Sequence, residues 1–323
     1  MATKRKVPSK KVRPAKGVGV KIAPGARPKN MTFLTISKKG EYSLGVKTEK
    51  GVLDVMAASR LFRKKAPTLI DDVIRFGDQG LTALVHTALH STKAKRVFLD
   101  ESKIQFGPCV TTPEKILLVG FNYRKHAAET NSPIPASPVL FSKYNNTLCG
   151  HNSVIKLPDH VGTKFDYEAE LVVVMGKTAF RVSEAEALSY VFGYCTGNDL
   201  SARDLQFKSS QFLLGKSCDC FAPIGPYLLT ADQIPNPDNL AVECSVNGKL
   251  RQSSNTNDMI FNVASIISYV SQHLTLKPGD LIFTGTPEGV IFGMPLEKQV
   301  WLRAGDRVST VVEKLGELKF TFA

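Results

Sequence analysis

Between Met31 and Leu53 apolar and polar positions alternate, a period of two that predicts a small antiparallel unit. Residues 32–36 and 42–46 read as strands around a Lys38-Lys39-Gly40 turn, and Gly51-Val52-Leu53 adds a third. The period then lengthens, and helices are expected over Val55–Phe62, over 68–76 with an acidic first turn, and over 79–90. Gly107-Pro108 and Thr112-Pro113 break the pattern and close this unit. Beyond them short apolar strands are expected at 115–119, Val139–Lys143 and 191–196. Leu171 to Val174 is uninterrupted apolar, as in a strand buried on both faces. A helix over 259–274 places Phe261, Val263, Ile266, Ile267, Val270 and Leu274 on one core-facing stripe. The pattern is α+β and predominantly β, not doubly wound. With neither a G-x-G-x-x-G string nor a P-loop, nucleotide cofactors are not expected.

At 323 residues the chain can form one large domain and one small one. No apolar run approaches the ~18–20 residues of a membrane span, and no apolar segment of a secretory signal follows the basic N-terminus. A soluble protein without membrane partners is expected. The six cysteines include no C-x-x-C pair, which points to reduced thiols in the cytoplasm rather than to zinc or disulfides. The net charge of +13 changes meaning once it is located. Residues 1–30 hold ten Lys or Arg and no acid, so the remainder carries 42 − 10 = 32 basic against 29 acidic residues. A nearly balanced body excludes nucleic-acid binding through the fold itself. The Pro- and Lys-rich tail 1–30 cannot bury enough apolar surface to order itself, and reads as an irregular extension. An arm for anionic partners is the alternative. A mitochondrial presequence fits it poorly, since the tail is Lys-rich and lacks an amphipathic helical pattern.

Candidate chemistry changes the picture further. In Asp166-Tyr167-Glu168-Ala169-Glu170, the period of two projects Glu168 and Glu170 the same way. Two carboxylates entering an apolar strand repel unless a cation lies between them. Asp199 follows about thirty residues later at a strand end. Three oxygen ligands without paired Cys or His suit a hard divalent ion, Mg²⁺ first and Mn²⁺ or Ca²⁺ behind it. His126 and Glu129, three apart, share a face of a helical turn, the arrangement in which a carboxylate orients a general base. Asn131 to Pro138 reads as a lid hinge. Lys143 ends a strand where it can meet an anionic substrate, and Arg203 and Gln206 share a helix face. Gly215 lets backbone approach a ligand beside Lys216. His86 and His90 sit four apart but lack a third ligand, and read as a helix face.

Several ordered strings carry a resemblance: Asn122 to Glu129 (NYRKHAAE), Asp166 to Lys177 (DYEAELVVVMGK), Asn198 to Gln206 (NDLSARDLQ), Gly215 to Pro226 (GKSCDCFAPIGP) and Leu276 to Val290 (LKPGDLIFTGTPEGV). Together they resemble the fumarylacetoacetate hydrolase family over roughly residues 113 to 323. The resemblance implies a β-sandwich roll catalytic domain at 111–323 and a small α+β domain at 31–110 without chemistry, assembled as a homodimer. It implies Glu168, Glu170 and Asp199 as metal ligands, and His126, Glu129 and Lys216 as catalytic residues. Tyr123, Lys143, Arg203, Gln206 and Thr286 would contact substrate, with Thr286 closing over its carboxylate. The expected substrate is a small 2-oxo or 1,3-dicarbonyl acid, and the expected reaction is hydrolytic cleavage of a carbon–carbon bond in an acylpyruvate, releasing an enolate held by the metal. Decarboxylation, or isomerisation of keto–enol and double-bond type, uses the same enolate. Family members acting on homoprotocatechuate breakdown products divide among these reactions. A non-catalytic scaffold or a binding protein acting through the basic tail is the alternative from another class. Against it stands the presence of every polar position that the chemistry needs.

Overall fold

The computed structural model describes residues 25–323. Most of the basic tail lies outside the described residues. Its last positions adopt no helix or strand, yet they bond to the body. The Gly25 N–H donates to Phe76 O at 2.8 Å, the Asp78 N–H to Ala26 O at 2.9 Å, and Arg27 Nη1 to Val191 O at 3.0 Å.

Two large sheets, two two-stranded sheets and a set of short helices make up the described residues. In the larger sheet the strands Phe98–Leu99, Gly51–Asp54, Glu41–Thr48, Thr32–Lys38, Leu228–Thr230, Val191–Asn198, Ala169–Met175, Leu281–Phe283, Ile116–Gly120 and Val139–Lys143 follow one another across the sheet. Phe106–Gly107 pairs with Thr32–Lys38 off this path. Neighbours are antiparallel except Leu281–Phe283 and Ile116–Gly120. The smaller sheet orders Lys249–Asn255, Ala241–Val246, Arg307–Val312, Glu317–Phe322 and Ser153–Ile155. This is the α+β, predominantly β architecture that the pattern predicts.

The elements begin close to where the periodicity places them. Strands Thr32–Lys38 and Glu41–Thr48 flank a turn in which Lys39 and Gly40 take φ of 52° and 82°. Helices Val55–Phe62, Ile70–Phe76 and Leu81–Leu89 follow, and the later apolar-striped helix spans Val263–His273. The central strand Ala169–Met175 explains its own composition. Leu171, Val173 and Met175 enter the core shared with the smaller sheet, while Val172 and Val174 enter the core under the N-terminal helices. Full burial of such side chains is worth roughly 1.5–3 kcal/mol each, which fixes the register and with it the acidic residues at the strand's entrance.

The N-terminal unit shares the catalytic region's sheet. Thr32 and Phe33 pair with Leu229 and Leu228, so hydrogen bonding runs across the boundary expected at residue 110. Leu84 and Ala88 share a core with Val172 and Phe283. Such pairing between residues almost two hundred positions apart leaves no local trace in either segment.

Candidate active site

Strand register assembles the acidic cluster. Ala169 pairs with Asn198 and Glu170 with Gly197, so Glu168, just before one strand, lies beside Asp199, just after the other. The Asp199 N–H donates to Glu168 O at 2.8 Å. Asn198 locks the corner: its Oδ1 accepts the Glu168 N–H at 3.0 Å, and its Nδ2 donates to Thr310 Oγ1 at 3.0 Å in the smaller sheet. Glu170 Oε2 accepts the Gly285 N–H at 2.7 Å. Gly285 has a φ of 98°, and a Cβ there would lie 2.8 Å from Asn122 Cβ, so only glycine lets the loop reach the carboxylate. One oxygen from each of Glu168, Glu170 and Asp199 lies within 4.8 Å of the others, and all three residues are buried.

Three buried cations interleave with these acids. Lys216 Nζ bridges Glu168 Oε2 at 2.8 Å and Asp199 Oδ2 at 2.7 Å. Arg203 bridges Glu168 Oε1 at 2.7 Å and Asp166 Oδ2 at 2.8 Å, and its Nη1 donates to Gln206 Oε1 at 3.0 Å. Lys143 Nζ sits 2.6 Å from Asp199 Oδ1. For Glu168, burial raises the carboxyl pKa, but Lys216 and Arg203 outweigh it and hold the group below the carboxylate range. Burial would lower Lys216, yet Asp199 and Glu168 raise it, so the ammonium stays charged. Asp199 is raised by burial in spite of Lys143 and Lys216.

Glu170 is the exception. It has no cation at ion-pair distance among the described residues, and burial together with Asp199 and Glu168 pushes its carboxyl well above the usual range. Asp166, Glu168, Glu170 and Asp199 against Arg203, Lys143 and Lys216 leave one negative charge without a partner. A hard dication would cover that charge and leave one positive charge over for an anionic substrate. Ligand oxygens on an ion with bonds of ~2.0–2.6 Å lie at most ~4–5 Å apart, which is the spacing of these three carboxylates.

Glu168 and Glu170 form the floor of a cavity of about 230 Å³, which His126, Arg203, Gln206, Lys216 and Thr286 also line. His126 and Glu129 lie on the short helix Arg124–Glu129. His126 Nδ1 is 2.8 Å from Glu129 Oε1, which leaves Nε2 as the other ring nitrogen. Glu129 Oε2 accepts the Gly289 N–H at 2.9 Å, so one carboxylate ties the imidazole to the loop after Gly285. The segment expected to act as a lid hinge is irregular, and Ser132 within it lines the cavity.

Four positions have surroundings that the sequence does not reveal. Lys143 is fully buried, and besides its contact with Asp199 it donates to Leu200 O at 2.9 Å and Phe221 O at 2.7 Å. Its three protons are committed inside the protein, so it is a counter-ion for Asp199 and not a substrate contact. Tyr123 is buried in the core, its hydroxyl without a hydrogen-bond partner among the described residues. Thr286 lines the cavity, and its Oγ1 donates to Ala169 O at 3.0 Å and accepts from Gln252 Nε2 at 2.9 Å. At Gly215 a Cβ would lie 2.4 Å from Gln206 N, so the close approach is to the chain's own backbone and not to a ligand. His86 and His90 stack with ring centroids 4.2 Å apart and belong to no three-ligand group among the described residues.

Asp166 was missed as a site residue, although it opens the same alternating string. Fully buried, it accepts from Arg203 Nε at 2.9 Å and from the backbone of Ile291 and Phe292 at 2.9 and 3.0 Å. Also missed were five phenylalanines on the cavity wall, Phe121, Phe141, Phe207, Phe212 and Phe292. They come from separate stretches, and no local pattern announces their convergence.

Comparison with known proteins shows the family. Residues 115–323 match the family model described as fumarylacetoacetate (FAA) hydrolase C-terminal. An oxaloacetate tautomerase of Rattus norvegicus, whose name places it in mitochondria, is 40% identical over 77% of this chain and 79% of its own. A solved fumarylacetoacetate hydrolase from Exiguobacterium antarcticum superposes with a TM-score of 0.73 at 30% identity, covering 90% of this chain and 99% of that one. A fumarylpyruvate hydrolase from Pseudomonas aeruginosa, solved with Mn²⁺ and pyruvate, gives a TM-score of 0.60 at 32% identity over 68% and 91% of the two chains.

Proposed function

The chain belongs to the fumarylacetoacetate hydrolase family, and from that premise we propose that it is a divalent-metal-dependent tautomerase interconverting the enol and keto forms of 2-oxo acids of the oxaloacetate class. The observation that carries this reading is one small cavity onto which Glu168, Glu170, Arg203, Lys216 and His126 all open. The similarity to an oxaloacetate tautomerase supports it.

Arg203 and the free amide of Gln206 bind the substrate carboxylate. Lys216 has one proton left after Glu168 and Asp199 take two, and it directs that proton at the enol oxygen. Mg²⁺ or Mn²⁺ bound by Glu168, Glu170 and Asp199 would supply Lewis-acid polarisation of the 2-oxo group. His126, oriented by Glu129, accepts the enol hydroxyl proton at Nε2 and returns one proton to C3, so that nothing is gained or lost overall. The test follows the ultraviolet absorbance of freshly dissolved enol-oxaloacetate with Mg²⁺ or Mn²⁺. Decay faster than in buffer, abolished by a chelator, is expected; decay at the buffer rate with either ion overturns the reading.

The 2.8 Å contact between His126 and Glu129 favours a second reading, hydrolysis of an acylpyruvate, because water activation needs an oriented base. The similarity to fumarylpyruvate hydrolase supports it. Pyruvate release from acylpyruvates, assayed beside oxaloacetate decarboxylation and isomerisation of unsaturated 2-oxo dicarboxylates, separates these reactions. We also propose a homodimer in the cytoplasm. A monomer by light scattering, or a mitochondrial pool on fractionation, overturns that.

A further inference from the structure

We propose that the mouth of this cavity is an aryl-binding subsite, so that the site accepts 2-oxo acids bearing an aromatic ring on C3. The inference rests on the tautomerase reading for its reaction and on the cavity wall for its ligand. Four rings make a continuous arc: Phe141 and Phe212 meet edge-on at 5.6 Å, Phe212 and Phe207 edge-on at 6.3 Å, and Phe207 and Phe292 at 5.0 Å. The arc is anchored to the polar floor at both ends. Lys216 Nζ lies 5.3 Å from the Phe141 ring centre, and the Arg203 guanidinium lies 5.4 Å from that of Phe292. Phe207 is 49% exposed and Phe292 38% exposed, so apolar ring surface stays in water beside a charged cavity.

A dicarboxylate fits this wall poorly. Aromatic faces are electronegative, and the cations at the ends of the arc, Lys216 and Arg203, are already engaged by Glu168, Asp199 and Asp166, so a second carboxylate between the rings would lose water for no free cation. A neutral planar ring gains edge and face contacts with several partners and covers the exposed surface. The enol of an arylpyruvate has the matching shape, with ring, double bond and carboxylate conjugated in one plane. Its ketonisation moves the hydroxyl proton off oxygen and places one proton on the benzylic C3, while the C2–C3 double bond becomes the C2–O double bond.

Two non-reacting mimics separate the mouth from the chemistry. Oxamate presents the head alone, and oxanilate adds a phenyl ring to the same head. Calorimetric titration of the full-length, Mg²⁺-loaded protein should show oxanilate binding about tenfold or more tighter than oxamate. Phe207→Ala should shrink that ratio about three- to tenfold and Phe207→Tyr should preserve it, with circular dichroism showing both variants folded. In kinetics, the kcat/KM ratio of enol-phenylpyruvate to enol-oxaloacetate should fall with Phe207→Ala. Equal affinities for the two mimics in the wild-type protein overturn the proposal, and so does a ratio unmoved by Phe207→Ala. Failure to accelerate either enol removes the tautomerase reading instead, and the affinity ratio still judges the mouth.

Discussion

The two ends of the cavity are built on opposite principles. On the floor each cation is held by carboxylates or carbonyls from different segments: Arg203 by Asp166 and Glu168, Lys216 by Glu168 and Asp199, Lys143 by Asp199 and two carbonyl oxygens. The strands Ala169–Met175 and Val191–Asn198, which Glu168 and Asp199 adjoin, are buried on both faces, so these charges cannot rearrange without moving the core. At the mouth the rings touch chiefly one another, and two of them stand partly in water. Charge stabilisation is effective only from groups already in place, whereas apolar recognition tolerates exchange of one ring for another. Chemistry and selectivity therefore occupy separable parts of one cavity, and mutations at the two ends should fail in different ways.

Lys216→Met tests the floor and carries the largest expected effect. Removing the ammonium leaves Glu168 and Asp199 buried without their shared cation, a loss of ~3–5 kcal/mol for a broken buried pair. Turnover should fall ~10²–10³-fold, as for loss of a preorganised donor. Added Mg²⁺ should restore much of the melting temperature without restoring turnover, because an ion on the carboxylates replaces the charge but not the proton donor. A variant with wild-type melting in the absence of metal would show that the floor is not coupled as its geometry implies.

His126 stands between the two ends, its ring 6.4 Å from that of Phe121 and its Nδ1 on Glu129. His126→Ala should lower kcat by ~10²–10⁴ in any step that needs the base. Glu129→Gln should lose less, ~10-fold, because the amide oxygen can still accept one of the two protons that Glu129 takes, from the ring or from the Gly289 N–H. A loss confined to acylpyruvate cleavage would favour the hydrolytic reading. Equal small losses on every substrate would make His126 a packing residue.

The contrast also explains what the sequence made legible. The floor could be read because its chemistry lies in short strings: alternation in Asp166 to Glu170 sets the carboxylate face, and Asp199 and Arg203 follow one strand end. Even there, Lys143 was misjudged. A one-residue change of phase turns a strand side chain from cavity to core, and nothing in Val139 to Lys143 reveals which carbonyls await the ammonium. Helices such as Val55–Phe62 were legible from their own periodicity. The pairing of Thr32 with Leu229 was not, and neither was the aromatic arc, because each depends on contacts between distant stretches.

The smallest expected effect lies remote from the cavity, at His151, and serves as a control for the comparison. Its ring meets Phe106 edge-on at 5.0 Å, and its Nδ1 accepts the Lys319 N–H at 3.1 Å, so it joins a strand of the N-terminal unit to the smaller sheet. Burial and then Lys319 lower its pKa, while Glu317 and Glu101 oppose them. A histidine depressed in the folded state binds fewer protons there than when unfolded. Its contribution is therefore present above the ordinary value of 6.5 and is lost as pH falls through the folded value. The ring is partly open to solvent, so the loss should stay under about 1 kcal/mol. Urea unfolding at pH 7.5 and pH 5.5, about one unit either side of the ordinary histidine pKa, should show this difference in the wild-type protein. In His151→Gln it should shrink, because the amide oxygen accepts the Lys319 N–H at either pH. Equal pH dependence in the two proteins would remove His151 from the junction. A change in the preference between aryl and carboxylate substrates in this variant would show that cavity selectivity reaches beyond the mouth.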